Sequence, residues 1–358
     1  MRVAQSRFGG YGVWEVATDF WLPEEGYMNW RYRAITLLIF LLSPLSLGSI
    51  VGQENWTPPR TSDGRPDLGG IWANNSATPM ERPEQLADKV SLTDEELADL
   101  NARIAEFRNN EQAGDLLGDR LIQQALGDSE FQDFDVVTGN YNAFWLVERE
   151  LDNRTSLVVD PSNGRIPSLT DTAEERVSAQ RAYGRAHPSD GPEDRNLGDR
   201  CLHFHAPRMG SGYNSYMQIL QTPSHVAILQ EMGHEIRTIP LDGSPHVNIG
   251  QWNGDARGRY EGDTLIVETV NYSPRSGFNG ATESLHLVER FTRVSPTILR
   301  HEITLNDPDT WTQPWTVQLL HSSTEEPIFE YACHEGNYSM PGILGGARLD
   351  EVESQTQP

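Results

Sequence analysis

Residues 285–305, LHLVERFTRVSPTILRHEITL, contain two runs of alternating apolar residues separated by a Ser-Pro-Thr turn signal. Alternation with a period of two is typical of strands that bury one face, so this stretch predicts an antiparallel hairpin. A turn at residues 295–297 places Phe291 opposite His301 and Glu289 opposite Ile303. Glu289 and His301 are then diagonal neighbours on one apolar face of the hairpin.

Short alternating runs continue on both sides of this hairpin, and turn segments such as LDGSPH and EGD separate them. Many short strands at close spacing predict a mainly β fold. We expect an antiparallel meander closed as a lipocalin-like barrel, with a β-sandwich as the alternative. The predicted strands are residues 217–222, 225–231, 235–241, 257–260, 264–271, 285–294, 298–305, 315–321 and 328–333.

The sequence of the N-terminal half predicts helices and extended segments that wrap the β domain. Thr93 and Glu96 have capping-box spacing ahead of apolar residues at helical intervals, which predicts one helix. A weaker helix is predicted at residues 172–183. The expected segments are an extended arm at 53–90 that docks by its aromatic residues, a helical and hairpin wrap at 91–200, the β-barrel at 201–349 and a disordered tail at 350–358.

The segment MNWRYRAITLLIFLLSPLSLGSIVG has the pattern of a secretory signal, although it begins at Met28. Arg31 and Arg33 precede an apolar run, and small residues follow it. We therefore interpret residues 28–52 as a signal peptide and residues 1–27 as a mis-annotated leader. The expected location is periplasmic or secreted, with membrane contact only through an uncleaved signal.

The charge balance narrows the class of partner. The chain has 28 Lys and Arg against 52 Asp and Glu, a formal net charge of −24. Such a charge repels nucleic acid and anionic lipid surfaces. We expect a small-molecule ligand and no nucleic-acid partner, whereas no sequence feature indicates an oligomeric state.

Two cysteines, Cys201 and Cys333, are present in the chain. In an exported protein this number favours one disulfide, which would bring the histidines of CLHFH and CHEGN into one neighbourhood. The alternative is a nucleophilic pair of Cys333 with His334. Adjacent residues of a strand point to opposite faces, so that pair requires a bend.

The hairpin supplies the first candidate catalytic residues. Glu289 and His301 would be desolvated on an inner face, where burial raises the pKa of a carboxyl group and lowers that of an imidazole. Acid and base catalysts need such tuning. His334, beside the expected disulfide, is a third candidate. The alternative role for Glu289 and His301 is a buried pair that only fixes strand register.

The loops of residues 231–257 supply candidate ligand-binding residues, which are His234, His246, Trp252 and Arg257. Loops at one end of a barrel commonly form a binding site, and Trp252 beside Arg257 would hold an aromatic or sugar ring and its carboxylate. His203 and His205 are spaced as a two-imidazole chelate, which keeps a metal site as an alternative. No cofactor is expected otherwise.

Several motifs together resemble a family of exported bacterial proteins from acidobacteria and environmental proteobacteria. They are RTSDGRPDLGGIW at 60–72, RTSLVVDPSNGRIP at 154–167, IPLDGSPH at 239–246, RGRYEGDTLIVETVNY at 257–272 and EYACHEGNYSMPGILGGAR at 330–348. The resemblance covers nearly all of the chain after the signal and implies export and one shared fold. It implies no activity. LHFH at 202–205 departs from the family pattern.

These features predict an exported protein that binds a small amphipathic molecule, such as a terpenoid, a steroid or an aromatic acid, in an internal apolar cavity. The first alternative is a cofactor-free lyase, isomerase or hydratase that uses Glu289 and His301 as base and acid. The second is a carbohydrate-active protein, which the tryptophans after the signal suggest.

Overall fold

The computed structural model describes residues 56–108, 120–127, 149, 151–211 and 213–356. The predicted leader and signal peptide lie outside these residues. The described helices are α1 (Asp94–Arg108), α2 (Arg120–Ala125), α3 (Asp171–Ala186), α4 (Cys333–Gly336) and α5 (Ser339–Thr356). The described strands are β1 (Gly70–Ala73), β2 (Val158–Asp160), β3 (Tyr216–Gln221), β4 (His225–Gln230), β5 (Ile236–Pro240), β6 (Asp255–Glu261), β7 (Thr264–Val270), β8 (His286–Arg293), β9 (Ile298–Asn306) and β10 (Trp315–Thr324).

All ten strands form one antiparallel sheet. Its order is β5-β4-β3-β1-β10-β9-β8-β7-β6, and β2 pairs with β10 beside this path. The predicted mainly β, antiparallel fold is confirmed. Within the described residues no ladder joins β5 to β6, so the sheet is not closed into a barrel by hydrogen bonds.

The β8–β9 hairpin has the predicted register, with Phe291 opposite His301 and Glu289 opposite Ile303. Alternation set this register, because a slip by one residue would turn every apolar side chain to the other face. Glu289 and His301 are buried, with 0% and 2% of their surface exposed. Both therefore lie among the apolar residues of the inner face.

The inner faces of distant strands share one core. A single hydrophobic cluster contains Ile239 of β5, Val267 of β7 and Phe291 of β8. At Gly258 of β6 an added Cβ would lie 2.8 Å from the side chains of Ile239 and Leu241, so the two ends of the sheet approach closely. The sheet therefore curls over, and glycine at position 258 permits the approach.

The N-terminal segments depart from the prediction in one main respect. The segment predicted to be an extended arm contains β1, which lies between β3 and β10 inside the sheet. Trp72 is buried there and its indole N–H donates to the Leu68 carbonyl at 2.9 Å. The predicted capping box is confirmed, because the Thr93 and Glu96 side chains each accept a hydrogen bond from the other's backbone N–H. The second helix begins after Thr170 instead of at residue 172.

The C-terminal prediction is wrong in two places. Residues 328–332 form no strand, and Cys333 begins α4. Residues 350–356, predicted as part of a disordered tail, belong to α5. The glycines and proline of this segment have weak helix propensity, which hid the helix from sequence patterns. The expected disulfide between Cys201 and Cys333 is present.

None of the helices in the described residues combines the length and apolar character that crossing a bilayer requires.

Candidate functional site

Four buried side chains on the inner face form a connected polar chain, which we call the interior cluster. Arg237 donates from its two terminal nitrogens to Glu289, at 2.5 and 2.8 Å. His301 Nε2 lies 3.0 Å from Glu289 Oε1, and His301 Nδ1 lies 3.4 Å from His321 Nε2. The His301 ring also stacks on Phe291 with ring centres 4.0 Å apart. The cluster joins β5, β8, β9 and β10 across the curled sheet.

The electrostatics of the interior cluster differ in part from the sequence prediction. Burial alone would raise the pKa of Glu289, but Arg237 and the His301 hydrogen bond outweigh it and lower the pKa to about 2. The predicted raised carboxyl pKa is therefore wrong, because Arg237 was not foreseen. The predicted low imidazole pKa agrees, since burial lowers the pKa of His301 and lowers that of His321 well below its ordinary value. The cluster thus contains one ion pair and two neutral imidazoles.

The proton positions follow from these contacts. An ionised carboxylate only accepts, so neutral His301 donates its Nε2–H to Glu289 and presents the lone pair of Nδ1. His321 then donates its Nε2–H to that lone pair and has the lone pair of its own Nδ1 free. This nitrogen is buried and has no hydrogen-bond partner among the described residues.

A small cavity of about 20 Å³ adjoins the interior cluster and has room for roughly one water molecule. Arg237, His301 and His321 line it, with Tyr216 and Arg208. The remaining lining residues are Pro207, Ser215, Met217, Ile228 and Gln230. The lining is therefore mixed, with positive and imidazole groups beside a few apolar side chains.

Arg208 is the unusual residue of this cavity. Burial lowers the pKa of its guanidinium, and in the described part of the chain its buried Nε has no hydrogen-bond partner. Its Nη2 donates to the Tyr213 backbone carbonyl at 3.4 Å, and no described carboxylate forms an ion pair with it. Because Glu289 is already paired with Arg237, the cavity has an excess positive charge.

A second group of polar and aromatic side chains lies around His203. We call it the rim cluster, and it consists of His203, His205, Glu235, Trp252 and Asn253. His203 Nδ1 is 3.0 Å from Glu235 Oε1, and the other carboxylate oxygen accepts from Asn253 at 2.7 Å. The rings of His203 and His205 meet edge to face with centres 4.5 Å apart. Trp252 lies 5.7 Å from the His203 ring and is 40% exposed. Residues 201–205 form turn and irregular chain, so His203 and His205 do not lie on one face of a strand.

Two candidate ligand-binding residues have structural contacts. Arg257 donates to Asp255 and to the carbonyls of Ser244, Pro245 and Ala256, which holds the loop before β6. Arg275, and not Arg257, lies over the Trp252 ring, at 5.6 Å. The expected contacts of Trp252 with a ligand ring and of Arg257 with a ligand carboxylate stay a prediction.

His246 and His234 also form hydrogen bonds with nearby segments of the protein. His246 Nδ1 lies 3.1 Å from Asp255 Oδ2. His234 Nδ1 accepts from the Tyr331 backbone N–H at 3.0 Å, and Glu231 accepts from that of Phe329 at 3.3 Å. Glu231 and His234 thereby hold the segment that leads to Cys333.

His334 lies on α4 and is exposed. The disulfide beside it does not place its ring against His203 or His205 in the described residues. Within that same part of the chain, no three His, Cys, Asp or Glu residues are arranged to hold a metal ion. Neither histidine neighbourhood therefore supplies geometry for the metal alternative.

Sequence patterns missed Arg237, His321 and Arg208. Alternation contained a signal for two of them, because Arg237 shares a face with Ile239 on β5, and His321 with Leu319 on β10. A polar residue in register with buried apolar ones marks an inward position. Arg208 lies outside any strand, so no period pointed to it.

Comparison with known proteins adds no further assignment, since no family model, curated protein or solved structure matches the chain.

Proposed function

We propose that the protein binds a small amphipathic carboxylic acid, with the carboxylate held by Arg208 at the cavity of the interior cluster. The observation that supports this function is the half-buried guanidinium of Arg208, which faces the cavity and forms no ion pair with a described carboxylate. A protein with a net charge of −24 has many carboxylates, yet none of those described neutralises this cation.

The energetics favour an anionic ligand. A desolvated cation without a partner costs several kcal/mol, and a bound carboxylate removes that cost. Guanidinium and carboxylate groups match in a two-point hydrogen bond, which gives direction as well as attraction. Glu289 does not neutralise Arg208, because Arg237 and His301 already occupy both of its carboxylate oxygens.

The apolar part of the ligand is assigned to the side of the cavity that Met217 and Ile228 line. Met217 and Ile228 line the cavity, and the closely approaching ends of the sheet favour a barrel-like, lipocalin-like enclosure around them. Because the cavity holds roughly one water molecule, binding is expected to move Pro207 and Arg208 outward. Among terpenoids, steroids and aromatic acids, the excess positive charge selects the acids.

The proposed location is outside the cytoplasm. A disulfide that links residues 132 positions apart is compatible with an oxidising compartment. A binding protein exported to such a compartment would take up its ligand from the surroundings of the cell.

Calorimetric titration of the oxidised protein with benzoate and with benzamide tests this function. The two probes have nearly the same shape and differ in charge. Octanoate and octanamide repeat the comparison with a flexible chain. We expect both acids to bind and both amides to bind at least about tenfold more weakly, because they lack the charge-assisted bond. Equal affinity of acid and amide would exclude Arg208 as the anion-binding group.

A further inference from the structure

We propose that His321 acts as a general base that activates one water molecule for the hydrolysis of a small ester in the same cavity. This activity deepens the proposed function and rests on it, because the acid that hydrolysis releases is the ligand assigned to Arg208.

His321 is the last residue of the hydrogen-bonded interior cluster, and the position of its proton follows from the others. Arg237, Glu289 and His301 fix the protonated nitrogen of His321 as Nε2, so Nδ1 presents a lone pair. No described residue forms a hydrogen bond with that buried nitrogen, and buried polar atoms in folded proteins nearly always have a partner. His321 lines a cavity with space for roughly one water molecule. A water molecule beside Nδ1 would satisfy the lone pair and place the nucleophile.

The hydrogen bonds from His321 through His301 to Glu289 also help His321 to accept a proton. When Nδ1 takes a proton, the Nε2 proton can pass to His301 Nδ1, which moves the positive charge next to the Glu289 carboxylate. A buried carboxylate stabilises an adjacent imidazolium ion. Because burial lowers the pKa of His321, the imidazole is neutral at pH 7 but weakly basic, and transfer of the positive charge toward Glu289 offsets that weakness. Arg237 keeps Glu289 ionised throughout.

Each step balances without an oxidant, a reductant or a metal. His321 Nδ1 removes a proton from water while the water oxygen bonds to the ester carbonyl carbon. The carbonyl electron pair moves to its oxygen, where the Arg208 guanidinium stabilises the charge. The bond from carbon to the alcohol oxygen then breaks, and the proton on His321 passes to the departing alkoxide. The products are one carboxylic acid and one alcohol.

Hydrolysis of p-nitrophenyl benzoate tests the proposal, since it releases coloured p-nitrophenolate together with benzoate. The wild type is compared with His321→Gln and with the matched control His225→Gln, which changes an exposed histidine. We expect hydrolysis above the buffer rate in the wild type and in His225→Gln, and a loss of roughly 10²- to 10⁴-fold in His321→Gln. Benzoate affinity of His225→Gln should stay within about threefold of the wild-type value.

The outcomes separate this inference from the proposed function. Benzoate binding without hydrolysis by the wild type would overturn the general-base role and leave the binding function standing. An undiminished rate in His321→Gln would overturn it as well. Absence of both benzoate binding and hydrolysis would overturn both proposals.

The protonation state of His321 can also be measured in the wild type, so this test does not depend on whether a variant folds. Nitrogen-15 NMR of histidine-labelled wild type at pH 7 should show His321 protonated at Nε2 and unprotonated at Nδ1. A proton on Nδ1 would contradict the proposal. The positioning role of His301 predicts that His301→Gln changes the pH profile of the rate, whereas a purely structural residue would lower the rate equally at each pH.

Discussion

Arg237 on β5 and Glu289 on β8 form a two-point ion pair, with N–O distances of 2.5 and 2.8 Å, although five strands separate them in the sheet order. The pair can form only because the sheet curls until these inner faces meet. It keeps Glu289 ionised and leaves Arg208 as the unneutralised cation of the adjoining cavity.

Glu289→Gln should destabilise the fold strongly. The change removes the negative charge and leaves Arg237 buried without an ionic partner, which typically costs about 3–5 kcal/mol. The free energy of unfolding in urea measures this loss. Glu283→Gln, at an exposed position, should change stability by less than about 0.5 kcal/mol.

The double variant Arg237→Met with Glu289→Gln sharpens that test. Removing both charges leaves no uncompensated ion, so the double change should cost less than the sum of the two single changes. Additive losses would show that the two side chains do not interact energetically.

Stability should fall as pH decreases below about 6.5. The pKa values of His301 and His321 are lower in the folded state than in the unfolded state. Below about pH 6.5 the unfolded state therefore binds more protons than the folded state does. Each group then removes up to about 1.4 kcal/mol per pH unit below its ordinary pKa until its folded-state pKa is reached. The sign is the same for Glu289, whose contribution of about 3 kcal/mol is lost as pH falls from 4.5 to about 2.

Unfolding free energies at pH 8, 6.5 and 5 measure the histidine part of this dependence. His321→Gln should flatten the slope, because one depressed imidazole is gone. His225→Gln should keep the wild-type slope. A slope that is unchanged in His321→Gln would mean that this imidazole is not buried in its neutral form.

Gly258→Ala tests the approach of the two ends of the sheet. The added methyl group would lie 2.8 Å from side-chain atoms of Ile239 and Leu241, and relieving this overlap should cost about 1–3 kcal/mol. Gly184→Ala is the matched control, since nothing lies within 4 Å of the new methyl group on α3. That change should be neutral or stabilising by up to about 1 kcal/mol. Equal effects at the two positions would contradict the close approach of β5 and β6.

Reduction of the Cys201–Cys333 bridge should destabilise the protein by about 4–5 kcal/mol, because the bridge closes a loop of 132 residues in the unfolded chain. Urea unfolding with and without a reductant measures the effect. In the double variant Cys201→Ser, Cys333→Ser the reductant should have no effect. A wild type that is equally stable in both conditions would exclude a stabilising role of the bridge.

The β8–β9 hairpin and its Glu289–His301 contact could be predicted from sequence because alternation and one short turn specify the register completely. The partner Arg237 could not, since it reaches Glu289 through the curl of the whole sheet, a long-range feature without a local pattern. This missing charge reversed the pKa direction expected for Glu289.

Other departures have local causes. The segment around Trp72 contains too many Pro, Gly and Asp residues to indicate a strand, yet pairing with β3 and β10 makes it one. The run before Cys333 has strand-like residues but no partner strand in the described chain, and Glu231 and His234 hold it by side-chain contacts instead. Tertiary pairing decided both outcomes.

The most direct test of the anion-binding role of Arg208 is the benzoate affinity of the wild type compared with that of Arg208→Gln. Arg181→Gln is the control, because it removes the same charge from an exposed position on α3. We predict that Arg208→Gln weakens benzoate binding by at least about tenfold while Arg181→Gln binds as the wild type does. Equal affinities of all three folded proteins for benzoate would contradict the proposed site.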